Sequence, residues 1–312
     1  MTMPPLRWFA RRLSLAALVV FGAANAVFFA FRLLPGDPVR SMLGSTNPTP
    51  ELVARVRHDL ALDEPLAVQY GRFMRGLLTG DLGESFQLQE PVGEVIGGQL
   101  WPTVQLAVAA LLLALLVSVA LAVLTAHRPR ARRITSAFEL VAASTPAFWT
   151  GLLLLALLSF RLRWFPAMGG SDIAALVLPA VTLAAGLVGA FTQVLREELE
   201  RALEQPFVLT ARARGGGETA IRLRHALRHG LIPLITLSGW AVGALFGGAV
   251  VVETVFSRQG LGQVAAAAVA GRDLPVVTGV VLVSAVAFAL INLAVDVLYR
   301  LVDPRIDERS IG

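Results

Sequence analysis

Six runs of apolar residues, each about 20 residues long or more, leave this 312-residue chain few folds to choose from. A helix rises about 1.5 Å per residue, so ~20 residues cross the ~30 Å of hydrocarbon in a bilayer. Inside hydrocarbon every backbone amide needs a partner from its own segment, which selects helices for runs of this length. The runs are Leu13–Phe31, Val104–Ala126, Phe138–Phe160, Ile173–Leu195, Leu231–Phe256 and Val276–Leu298. Their number predicts an all-α, polytopic membrane protein with six spans. The third run contains Pro146 beside Ser144 and Thr145, whose hydroxyls can bond freed carbonyls, so a kink is expected there. The fourth is the weakest, because it holds a proline and polar residues. Apolar residues make up 55% of the chain and mean hydropathy is +0.68, a balance a soluble domain of this length rarely shows.

The first run follows Arg7, Arg11 and Arg12, an arrangement shared with signal peptides, and Ala24-Asn25-Ala26 resembles a cleavage site. The apolar stretch continues beyond it to Phe31, so an uncleaved span is expected. Residues 33–100 are too polar for lipid and form the long first loop. It opens with the turn cluster Leu34-Pro35-Gly36-Asp37-Pro38. Thr49-Pro50-Glu51 then reads as a cap, a proline at the first helical position and an acidic first turn. Leu52, Val56 and Leu60 follow at helical spacing, then Leu66, Tyr70, Phe73 and Leu77. Pro91–Leu100 should form a short helix before the second span. Arginines concentrate in three places: Arg128, Arg130, Arg132 and Arg133; the segment 196–230; and the tail with Arg300, Arg305 and Arg309. The opposite short loops hold little positive charge. Short basic loops stay on the cytoplasmic side, so both termini and the segment 196–230 are expected there.

Several functions are excluded or disfavoured. The chain has no cysteine, which removes disulfides and thiolate metal sites. It also has no lysine, so it cannot build a P-loop or a Schiff base. The arginines flank apolar runs instead of forming one basic face, which favours membrane topology over nucleic acid. His58, His127, His225 and His229 all fall in loops, and Glu139, Arg196, Glu253 and Asp296 lie near span ends. Ion-driven transporters usually carry ionisable groups at mid-depth. A self-contained secondary transporter or channel is therefore the alternative reading, and it predicts uptake by this chain alone. Asn292 and Asp296 are read as helix-packing residues. No catalytic residue, cofactor or metal ligand is assigned. Gly239, Gly243 and Gly247 form a doubled GxxxG pattern in the fifth run, serving packing within the chain or a seam with a second membrane subunit.

The segment 196–230 stands out for its composition. Ala211, Ala213, Gly215, Gly216 and Gly217 make a small-residue patch carrying Arg212 and Arg214. Small residues let another surface come close, and arginines offer forked donors to carboxylates. The segment reads as a docking element for a soluble partner. For Arg222, Arg224 and Arg228, docking and lipid-headgroup contact remain equal readings.

The motifs of the chain resemble those of permease subunits of dipeptide/oligopeptide/nickel-type ABC importers. Thr210-Ala211-Arg212-Ala213-Arg214-Gly215, His225-Ala226-Leu227 and Ile232-Pro233 are similar to that family's form of the EAA loop. Leu34–Pro38, Gly80–Ser85, Glu253–Phe256 with Gly260–Gly262, Arg272–Pro275, Asp296–Tyr299 and Asp303–Arg305 resemble its other signatures. The resemblance implies a type I ABC importer permease fold in the bacterial inner membrane, one domain over residues 1–312. It makes 33–100 a periplasmic loop and 196–230 a cytoplasmic coupling loop. Implied partners are a second homologous permease, two ABC ATPases, a periplasmic or lipid-anchored solute-binding protein, and lipid. Coupling is implied for Thr210, Ala211, Arg212, Ala213, Arg214, Gly215, His225 and Pro233. Three departures exist. Leu209 falls where the naming glutamate of the EAA loop stands, Gln259 replaces a proline, and Gly216-Gly217 replace an apolar residue, an exchange expected to loosen the coupling helix's end.

Overall fold

The structure is a computed structural model, and it describes residues 6–33, 39, 49–59, 62–85, 87–167 and 172–302. The turn cluster 34–38, Leu60 and the ending 303–305 lie outside the described residues. Most described residues are helical. In order the helices are α1 (Leu6–Leu33), α2 (Pro50–Asp59), α3 (Leu66–Thr79), α4 (Val92–Thr125), α5 (Pro129–Ser144) and α6 (Ala147–Leu154). The helix α6 runs on as a π-helical stretch, Leu155–Arg161. Then come α7 (Ile173–Leu203), α8 (Pro206–Ala213), α9 (Glu218–Ile221) with a π turn Arg222–Ala226, α10 (Leu227–Val255), α11 (Leu261–Ala270) and α12 (Leu274–Val302).

Several expected boundaries move. The short helix at Pro91–Leu100 and the second span are one helix, α4, which passes through Pro102 without ending. The third span is broken, not kinked. Helices α5 and α6 meet at 107°, so among the described residues five helices are long and apolar enough to cross a membrane, and six only if this bent pair counts as one span. The physical cause is local. Proline disfavours the helical region for the residue before it, and Thr145 is extended at φ −85°, ψ 125°. Its hydroxyl donates to the Val141 carbonyl (2.7 Å) and closes the end of α5.

The chain divides into two compact units. One comprises Ala10–Thr103 and Gln259–Ala289. Here the predicted face of α3 packs on α1: Phe28 lies edge-on to Tyr70 (5.1 Å between centroids) and against Phe73 (5.2 Å). Tyr70 donates its hydroxyl hydrogen to Asn25 Oδ1 (3.0 Å). Two motifs far apart in sequence also meet. Ser85 Oγ donates to Asp273 Oδ2 (2.5 Å), and Asp273 stands at the N-terminus of α12, where its charge complements the unpaired amides. Val92, Ile96, Leu261 and Val276 form the core beneath.

The other unit comprises Met1–Phe9, Val104–Arg258 and Leu290–Gly312. Its centre is α7. Half of that helix's apolar window is buried inside the chain, against 17% for α1, which is why its composition is small and apolar on most sides. Close packing depends on Gly189, where an added Cβ would lie 3.1 Å from the Glu139 carbonyl oxygen of α5. On another side, Ser118 of α4 donates to the Val188 carbonyl (3.3 Å).

Candidate functional site

The segment 196–230 is not a loop in the ordinary sense. Helix α7 continues past its apolar run to Leu203, and α10 begins at Leu227, so helical pieces fill most of the connection. Between them, Pro206 starts α8 at a position where its missing amide costs nothing. The helix is two-faced. Val208 is buried, with Phe207 and Ala211 half-buried beside it, while Leu209, Thr210, Arg212 and Ala213 are exposed.

A Schellman motif closes α8. Gly215 takes a left-handed φ of +80°, its amide donates to the Arg212 carbonyl (2.9 Å), and the Gly216 amide donates to the Ala211 carbonyl (3.1 Å). A Cβ at Gly216 would sit 2.9 Å from that same Ala211 oxygen. Gly216 therefore belongs to a tightly closed helix end instead of the looser end expected, while Gly217 has open space around it. The helix ends at Ala213, so Arg214 and Gly215 lie in its closing turn.

The surrounding side chains fix α8 in place. Phe207 stacks on His229 of α10 (5.5 Å, 22°), and the Arg228 guanidinium lies 5.9 Å from the Phe207 ring. Arg212 Nε donates to Glu218 Oε1 (2.7 Å) and its Nη2 to Oε2 (3.2 Å). This hydrogen bond, more than the charges of Arg222 and His127, holds the Glu218 carboxyl below the usual carboxylate range. Arg212 is thus already paired within the chain, while Arg214 and His225 are exposed. Pro233 lies inside α10. At the base, an added Cβ on Gly230 would approach Leu195 Cδ1 to 2.6 Å, so α7 and α10 converge tightly under the segment.

Two arginines behave differently from expectation. Arg196 is 3% exposed and pairs with Glu139, 0% exposed, at 2.5 Å. Its Nε donates to Thr125 Oγ1 (2.8 Å), Nη1 to Ser136 Oγ (3.2 Å) and Nη2 to Thr135 Oγ1 (3.3 Å). Glu139 is the buried residue of α5, whose other residues, basic in the first turns and mostly apolar after Ser136, are exposed or half-exposed. Arg222 is also buried, and its Nη1 donates to the Val123 carbonyl (2.8 Å). Its guanidinium is turned into the chain, whereas Arg224 and Arg228 are exposed. The sequence offered one signal for the ion pair, opposite charges at the edges of neighbouring apolar runs.

The glycine pattern of α10 splits. An added Cβ on Gly239 would meet Val295 of α12 at 3.1 Å, which is packing inside the chain, whereas Gly247 faces open space. Gly243 is half-buried. At the α5–α6 break, Thr145, Thr150, Thr182, Gly186 and Trp240 line a recess without charged groups.

Helices long and apolar enough to cross a membrane, joined here by a helical, basic connector, define an integral membrane protein. Comparison with known proteins gives the family. Residues 114–308 match the binding-protein-dependent transport system inner membrane component, and residues 5–107 match the N-terminal part of such membrane components. The chain is 35% identical over 306 residues, 95% of its length and 97% of the relative's, to a Brucella abortus (strain 2308) protein bearing the name of a peptide transport system permease. It is 37% identical over 285 residues to the glutathione transport system permease protein GsiC of Salmonella paratyphi A, covering 91% of this chain and 93% of that one. A chain of the MetNI methionine ABC transporter in inward-facing conformation aligns with a TM-score of 0.56 at 20% identity, over 67% of this chain and 96% of that chain. The protein belongs to the family of binding-protein-dependent transport system inner membrane components, with a type I ABC importer permease fold. It is a multi-pass inner-membrane permease subunit of an ABC importer and not an enzyme; ATP hydrolysis lies in partner proteins.

Proposed function

We propose that α8 is the helix by which this permease docks on an ABC ATPase, and that the segment 196–230 is its cytoplasmic coupling loop. The observation that carries this is the two-faced character of α8. Its inner face is held by Val208 and by Phe207 on His229, while Leu209, Thr210 and Ala213 are exposed, and Arg212, also exposed, is paired with Glu218. The small side chains of Thr210 and Ala213 leave room for a close-fitting groove, and Leu209 offers an exposed apolar contact. Arg214 and His225 extend this surface, and Pro233 marks where α10 leaves it. ATP-driven closure of two ATPase subunits then moves α8 and biases the helices between inward- and outward-open arrangements.

The same reading supplies the rest of the assembly: a second homologous permease, and a periplasmic or lipid-anchored binding protein meeting the 33–100 loop. Along α10, Trp240, Ala244, Gly247 and Val251 are exposed on one helical face, the face we assign to the sister permease. Both termini are cytoplasmic, which requires α5 and α6 to count together as one crossing. The exposed arginines at that side, Arg224 and Arg228 among them, also meet lipid headgroups. For the solute, the names of the relatives point to peptides, glutathione itself being one, so a short peptide is assigned.

Reconstitution tests this. Liposomes holding the complete assembly should take up peptide only with ATP and loaded binding protein, while liposomes holding this chain alone should take up none under an ion gradient. Gradient-driven uptake by the chain alone would overturn the reading.

A further inference from the structure

We infer that Arg196 and Arg222 are positioning residues that tie both ends of the coupling segment to the last turn of α4, making α4 part of the moving element. This rests on the docking role of α8. The two arginines stand on either side of α8, one before it on α7 and one after it in the π turn. Each reaches the same place. Arg196 Nε donates to Thr125 Oγ1, 71 residues away in sequence, and Arg222 Nη1 donates to the Val123 carbonyl, 99 residues away, both at 2.8 Å.

Helix ends leave their last carbonyls without intrahelical partners, and a cationic donor there also opposes the negative end of the helix dipole. Val123 is among those last residues of α4. An arginine placed only for membrane topology would extend its head to water. These two are 3% and 8% exposed instead. Arg196 continues the connection to α5 through Glu139, Ser136 and Thr135. Chain continuity alone would pass a displacement of α8 to α7 and α10. Helices α4 and α5 already pack on α7 at Val188 and Gly189, and the two side-chain ties join the end of α4 and, through Glu139, α5 to the two flanks of α8 directly. A push on α8 is thereby delivered to helices that the coupling segment does not join covalently.

The test uses the complete assembly in proteoliposomes, with two variants that each cut one tie: Thr125→Val and Arg222→Gln. Three quantities are read: ATPase copurified with the tagged permease, ATP hydrolysed with loaded binding protein, and peptide taken up. ATPase capture should stay within about twofold of the unmodified chain, while peptide delivered per ATP should fall about tenfold, within the span of typical coupling effects. Arg222→Lys, which keeps a cationic donor, should recover most of the loss. Unchanged delivery per ATP in both variants would overturn the inference. Loss of capture in step with uptake would also overturn it, because the arginines would then serve folding or docking only. Failure of the docking reading looks different: the unmodified chain would capture no ATPase.

Discussion

Uptake is expected to fall below detection when Ala213 is replaced by tryptophan, with the variant still inserted and monodisperse. Ala213 is the last helical residue of α8 and is exposed, so its side chain is not part of the chain's own core. An indole there would occupy the space the ATPase groove must fill. Mismatch at the centre of an interface weakens binding by about 30-fold or more, and ATPase copurification should drop accordingly. Ala213→Ser, which adds one atom, should transport normally. Gly215→Trp should abolish uptake too, but its φ of +80° adds backbone strain to any side chain placed there. Ala213 therefore isolates the docking effect. A transporting Ala213→Trp protein would show that this face of α8 is not the docking face.

The second large effect concerns the ion pair. Arg196→Ala leaves the Glu139 carboxyl buried without its partner, a change that costs about 3–5 kcal/mol in comparable buried pairs. Thermal denaturation in detergent should show a permease of sharply reduced stability. Replacing both partners together, Arg196→Met with Glu139→Leu, should return most of that stability, because well-packed apolar pairs often match buried ion pairs. Thr125 and Thr135 keep hydroxyl bonds to the Leu121 and Ala131 carbonyls in either case. The double variant should nonetheless transport poorly, since the tie from Arg196 to Thr125 is gone. A stable double variant with full uptake would reduce the pair to a packing feature.

These expectations draw unequally on sequence and structure. Apolar periodicity places the spans, because hydrocarbon thickness fixes helix length whatever the neighbours are. Composition alone marks the alanine, glycine and arginine segment that contains α8. Pro146 signals a bend but not 107°, since the angle follows from extended Thr145 and from where α6 packs. Pro102 gives the opposite lesson. The helix α4 continues through it, and Thr103 Oγ1 bonds the Gln99 carbonyl nearby (3.4 Å). Arg196 and Glu139 lie 57 residues apart, and only the packing of α5 on α7 brings them together. Arg222 is legible as basic, yet its burial depends on the approach of α4. Glycine tolerance at position 216 is readable once the Schellman closure is known, because a Cβ would meet the Ala211 carbonyl.

The absence of cysteine makes the most direct measurement simple. Ala213→Cys gives the assembled transporter's permease a single thiol on the outer face of α8. A short thiol-reactive cross-linker should join it to the ATPase subunit, with a yield that changes when ATP is bound, and an impermeant thiol reagent outside intact cells should leave it unlabelled. Labelling from outside, or a copurifying ATPase that never cross-links to position 213, would contradict the account of a permease moved by an engine seated on α8.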